Sequence, residues 1–276
     1  MVTPAAGSLS VKALISRPTR QATLLAAFPT AVYVRLFDDQ VIALLTRDAV
    51  RLPCGLVLAA TSTEQPLIGL HRSVVTGAGQ VGVGSMTVEI SRTISVSAPA
   101  GLVPDAAAVE RAGQELERLG FTEHGPGLVN TLAASWLGPQ EVVGLVRRLL
   151  GAGCGLTPSG DDVLAGFLVA SQSFGVCADE LRSAVLTHAS GATTDLSAAL
   201  LRHAGRGESI PQVDALLRAM AAGRALNRVD EALADLVRVG HTSGVALATG
   251  IQAAAQASIE LRSHLLETPF RAGLRT

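Results

Sequence analysis

A chain of 276 residues that is 48% hydrophobic but only 16% charged can build one large core or two modest ones. A formal net charge of −1 and an aromatic content of 3% provide neither the basic field nor the stacking rings that nucleic-acid binding requires. The longest apolar run, 163–176, is too short to cross a bilayer and follows two aspartates, so it reads as a buried helix.

Residues 1–10 lack a basic segment joined to an apolar one, which predicts no signal peptide. Cys54, Cys154 and Cys177 are odd in number and lack metal-ligand spacing, as expected of reduced thiols in a cytoplasmic protein. From Ala31 to about Ala98 the pattern is strand-like: Val32–Leu36, Val41–Leu45, Leu56–Leu58, then Val81 to Val96, punctuated by turn residues. Met86–Ile90 and Thr93–Ser97 alternate in type, as half-buried antiparallel strands do. Within this region Gly77-Ala78-Gly79-Gln80-Val81-Gly82 spells G-x-G-x-x-G. A dinucleotide fingerprint must open a helix, whereas here a strand pattern follows, so a glycine-rich hairpin is expected and no nicotinamide or flavin cofactor.

Near residue 100 the pattern changes. Asp105 can cap a helix that Gly120 ends, His124-Gly125-Pro126-Gly127 reads as a loop, and Pro139 opens a helix through Leu150. Further helices are expected at about 161–174, 178–189, 194–204, 212–222, 228–239 and 243–262, packing closely through Ala165, Gly166, Gly244, Ala248 and Gly250. The fold class is α+β: a β-rich sandwich or barrel over 1–100, followed by an all-helical bundle over 101–276.

The stretch with most chemistry is Gly151-Ala152-Gly153-Cys154-Gly155-Leu156-Thr157-Pro158-Ser159-Gly160-Asp161-Asp162, at the mouth of a helix. Its glycines allow close approach of a ligand, Thr157 or Ser159 can cap, and Pro158 suits a first turn. Outward amide donors at such an end bind phosphate or carboxylate, and Asp161 with Asp162 could hold a divalent cation, for which Mg²⁺ is the expected ion. The same residues also make a plain cap with acids complementing the helix dipole, and both readings stand at this point. Two further segments, Thr193-Thr194-Asp195-Leu196-Ser197 and His241-Thr242-Ser243-Gly244, again place hydroxyls at helix starts. Arg202 and Arg206, just beyond Ser197, are the nearby cations, equally readable as surface charge.

Gly155-Leu156-Thr157-Pro158-Ser159-Gly160-Asp161-Asp162, Thr-Thr-x-x-Ser at 193–197 and Gly240-His241-Thr242-Ser243-Gly244 together resemble the signatures of a bacterial family that includes the AllH-like subunit of oxamate carbamoyltransferase. Cys154 stands where that family usually has Pro, a change affecting loop stiffness. The resemblance implies carbamoyl transfer between phosphate and oxamate in purine (allantoin) catabolism, small anionic substrates such as carbamoyl phosphate and oxamate, and partner subunits. It implies catalytic roles for Asp161, Asp162 and His241, with Asp161 and Asp162 as metal ligands. Substrate contacts would come from Gly155, Thr157, Ser159, Gly160, Thr193, Thr194, Ser197, Thr242, Ser243 and Gly244. A non-catalytic binding or scaffold subunit, or a stand-alone enzyme on another small carboxylate or phosphate, is the alternative. The three segments are expected to meet in one cleft.

Overall fold

The computed structural model describes residues 2–68, 73–120, 128–133, 139–223 and 225–267. The chain divides into two compact units, one of Met1–Ser97 with Ala198–His203, the other of Ala98–Ser197 with Ala204–Thr276.

The first unit is a closed eight-stranded barrel: β1 (Val2–Gly7), β2 (Arg20–Ala27), β3 (Ala31–Arg35), β4 (Val41–Leu45), β5 (Gly55–Leu58), β6 (Val74–Gly77), β7 (Gln80–Val83) and β8 (Met86–Thr93), in the order β1-β5-β4-β3-β2-β6-β7-β8. The ring closes because β1 pairs antiparallel with β5 on one side and parallel with β8 on the other. A short helix, α1 (Leu9–Ile15), follows β1; Ser8 caps it by accepting from the Val11 amide. Val11 and Ile15 belong to the same core as Val32, Val34, Ile42, Leu44, Leu56, Leu58, Val81, Val83 and Val88. The alternation of buried and half-buried residues in β3 and β7 is the signature of strands with one face inward.

The G-x-G-x-x-G segment is a hairpin. Gly77 pairs with Gln80 across Ala78 and Gly79, whose φ values of 50° and 84° are those of a tight two-residue turn. The Ala78 and Gly79 amides donate to the Arg17 and Ile15 carbonyls. A Cβ at Gly77 would lie 2.4 Å from the Thr19 Cα, so only glycine fits there. The strand expected at Thr93–Ser97 ends at Thr93, and β1, α1 and β2 arise in a stretch where no strand or helix was expected.

The second part is helical among the described residues: α2 (Ala106–Leu119), α3 (Leu128–Ala133), α4 (Pro139–Leu149), α5 (Ser159–Phe174), α6 (Asp179–His188), α7 (Asp195–Ala204), α8 (Pro211–Met220), α9 (Leu226–Val237) and α10 (Ser243–Glu267). Asp105 caps α2 by accepting from the Ala108 amide, and Gly120 ends it at φ 67°. The expected loop 124–127 lies outside the described residues. Among them no helix is long and apolar enough to cross a membrane.

α5 and α10 are the pair that positions the site. Cβ atoms at Gly166 and Gly250 would come within 2.2 Å of the Leu247 carbonyl and 2.0 Å of the Val163 carbonyl, so the two backbones are in direct contact. Thr157 at the start of α5 bonds Ser243 at the start of α10, and the Phe174 carbonyl at the end of α5 accepts from Ser258 well along α10. The helices therefore run parallel, with both N-termini at one end.

Candidate functional site

The central loop leaves α4 at Leu149, folds back on itself and enters α5. Gly151 sits at φ 71° with the Ala192 carbonyl 2.3 Å from where a Cβ would be, so the chain passes the α6–α7 connection with no room for a side chain. Residues 153–156 are exposed, Thr157 is half-buried, and Pro158 through Leu164 are buried. The loop thus carries the chain from solvent into the protein just where the acids stand.

Neither hydroxyl of the loop caps α5. Pro158 occupies the N-cap position at φ −53°, with no side-chain cap bond, while Ser159 opens the helix and donates to the Ala152 carbonyl over 3.4 Å. The amides of the first turn are also engaged. Gly160 donates to the Ala152 carbonyl, Asp161 and Asp162 to the Pro158 carbonyl. The expectation of outward amide donors at this helix start therefore gives way, at Gly160 to Asp162, to amides bonded within the loop. Gly160 permits this because a Cβ there would lie 2.1 Å from the Leu149 carbonyl.

The two adjacent acids differ in surroundings. Asp161 is 1% exposed and accepts from the Gly151 amide at 2.9 Å, from the Ser197 hydroxyl at 2.7 Å and from the Thr193 hydroxyl. One carboxylate thereby ties the end of α4, the start of α5 and the start of α7 together. Asp162 is 7% exposed, and its Oδ2 is buried without a partner among the described residues. Burial pushes its carboxyl up to about 8, the Ser243 hydroxyl opposing and the Asp161 charge adding to the shift.

The other two segments arrive at the same corner. Thr194 caps α7, its Oγ1 accepting from the Ser197 amide at 3.1 Å and donating to the Leu156 carbonyl of the central loop at 2.5 Å. Thr157 and Ser243 share a hydrogen bond of 3.1 Å. Gly244 abuts the Leu236 carbonyl at the end of α9, with 2.0 Å available for a Cβ, which fixes where α10 begins. Thr242 is half-buried in the turn before α10, and His241 beside it is exposed. Residues 157–162, 193–197 and 241–244 thus converge. Gly155 lies in the exposed part of the loop.

Two parallel helices with adjacent N-termini bring like dipole ends together. As a cation site the pair is a poor match. A resident metal would compete for Asp161 with its three hydrogen-bond donors and would have to strip the proton from Asp162. Among the described residues no group of three His, Cys, Asp or Glu side chains is placed to hold a metal ion. Sequence reasoning missed the backbone partners of the site: the Gly151 amide and the Leu156 and Ala152 carbonyls. The only signal for them was Gly151 itself, whose helix-ending role concealed its contact with Asp161.

No curated protein and no solved structure matches the chain significantly. A family model described as oxamate carbamoyltransferase subunit AllH matches residues 149–255, a span that begins at the last residue of α4 and contains all three converging segments. The region that builds the site is AllH-like.

Proposed function

We propose that this chain is a subunit of an oxamate-type carbamoyltransferase, the enzyme that moves a carbamoyl group between phosphate and oxamate in purine-ring breakdown. The observation carrying this reading is the coincidence of the matched span 149–255 with the residues that converge at the α5 and α10 N-termini. Both substrates are small anions, and two helix dipoles ending at one corner favour negative charge there. Because the first-turn amides of α5 are bonded within the loop, contact with ligand falls to side chains: Thr157, Thr194, Ser243 and Asp162. Asp161 holds these elements in place. His241, exposed beside the corner, is the group available for proton transfer to a substrate or to a partner subunit.

The word subunit in the family description supports an assembly with partner chains. The test is co-expression with candidate partner subunits, followed by an assay of phosphate-dependent conversion of oxalurate to oxamate and carbamoyl phosphate. Activity that requires this chain and falls at least about tenfold on changing Asp162 or Ser243 supports the reading. Full activity of the partners without this chain would overturn it. A non-catalytic scaffold role is the second reading, favoured by the saturation of Asp161; it predicts that Asp161→Asn weakens the assembly while the Asp162 and Ser243 variants leave turnover unchanged.

A further inference from the structure

Of the two acids, Asp161 has its hydrogen-bonding needs met by the protein and Asp162 does not. An unpartnered buried carboxyl oxygen costs stability and contributes nothing to the fold in return. Asp162 Oδ2 is in that condition, on a residue 93% removed from solvent, beside the first residue of α10. Its surroundings define what would complete it. The Thr157 and Ser243 hydroxyls lie 3.1 Å apart at the same corner, and each can donate or accept. The segments 155–162, 193–197 and 241–244 contain no Lys or Arg, and their one basic side chain, His241, is exposed. A group bearing both an N–H donor and a carbonyl acceptor, and no charge of its own, matches one unpartnered acid oxygen and the one hydroxyl hydrogen that the Thr157–Ser243 bond leaves over. A planar primary amide or carbamoyl group has that composition.

We propose that Asp162 Oδ2 receives an N–H of the primary amide or carbamoyl group of a small substrate, with the one hydroxyl hydrogen that the Thr157–Ser243 bond leaves over donated to its carbonyl oxygen, so that this corner selects amides over isosteric ketones. The proposal deepens the carbamoyltransferase reading and rests on it for the choice of oxamate as probe.

The test uses matched monoanions that differ only in NH₂ against CH₃: oxamate against pyruvate, and malonamate against acetoacetate. Each is titrated into the purified full chain by calorimetry, with protein-observed chemical shifts for weak binders. The wild-type chain should prefer the amide of at least one pair by on the order of tenfold, as expected for one buried hydrogen bond left unmade by the ketone. Asp162→Leu, of the same branched shape and without the carboxyl, should abolish that preference; its melting curve reports whether it is folded. Equal binding of amide and ketone in both pairs by the wild-type chain, or no binding of any of the four, overturns the proposal without reference to the variant. So does a folded Asp162→Leu that keeps the preference. A preference for malonamate with none for oxamate sustains the amide site and rejects oxamate as the substrate. Carbamoyl transfer by the assembled complex without any amide preference in this chain would sustain the enzyme reading and reject the amide site.

Discussion

Asp161 and Asp162 are neighbours in sequence and opposites in environment, and their asparagine variants should separate accordingly. In Asp161→Asn an amide replaces a carboxylate that accepts from the Gly151 N–H, Thr193 and Ser197, so at least one donor loses its charge-assisted bond. The expected loss is about 1–3 kcal/mol, read as a lower midpoint in urea unfolding; an unchanged midpoint would show that the three bonds contribute no net stability. Asp162→Asn should do the reverse, and with a pH dependence. Its carboxyl is raised from 3.8 to about 8 in the folded chain, so the folded state binds a proton that the unfolded state releases between those values. The stability associated with that proton is complete below pH 4 and is lost as pH rises through 8. Removing the ionisable group should therefore raise the melting temperature relative to wild type by an amount that grows from pH 5 to pH 9. A difference independent of pH would refute the assignment of a raised proton affinity to Asp162.

At the scale of elements, the corner exists because α5 and α10 are in backbone contact. Gly166 and Gly250 leave no space for even a methyl group against the opposite helix, and the direction of approach aligns the two N-termini. Gly250→Ala should push the helices apart and cost at least about 1–3 kcal/mol by overpacking. Because the separation propagates to Thr157 and Ser243, ligand affinity should fall together with thermal stability, although neither glycine is near the ligand. A variant with normal melting and normal binding would show that the two backbones can part freely. The same reasoning applies at Gly77, where the Thr19 backbone excludes a side chain and the tight Ala78-Gly79 turn joins β6 to β7.

For the molecule as a whole, topology decides what holds the β part together. An open sheet would expose two edges, whereas here β1 fills the gap between β5 and β8. Deleting residues 2–7 should leave both flanking strands without a partner. The shortened protein should then associate at micromolar concentrations, seen as early elution in size-exclusion chromatography. A monomer with an unchanged far-ultraviolet spectrum would mean that the barrel closes without β1.

Much of the architecture was legible in the residues. Strand-like apolar runs marked β3 and β4, Asp105 and Gly120 marked the ends of α2, and the strand pattern after Gly77-Ala78-Gly79 correctly pointed to a hairpin. β1 was hidden because Val2-Thr3-Pro4-Ala5-Ala6-Gly7 is small, interrupted by proline and without alternation; it is a strand because two neighbours supply its pairing. β2, Arg20–Ala27, is rich in Ala, Leu and Gln, which favour helix in isolation, and pairing with β3 and β6 overrides that preference. The three site segments were likewise identifiable from their hydroxyls, glycines and acids. Sequence by itself determined which groups are present and that helices begin there, since capping and periodicity are local. Only the tertiary structure decided that Asp161 is clasped and Asp162 is left with a free oxygen, because a carboxyl's hydrogen-bond partners and its exposure to water depend on chain segments remote in sequence, 10 to 36 residues away for Asp161.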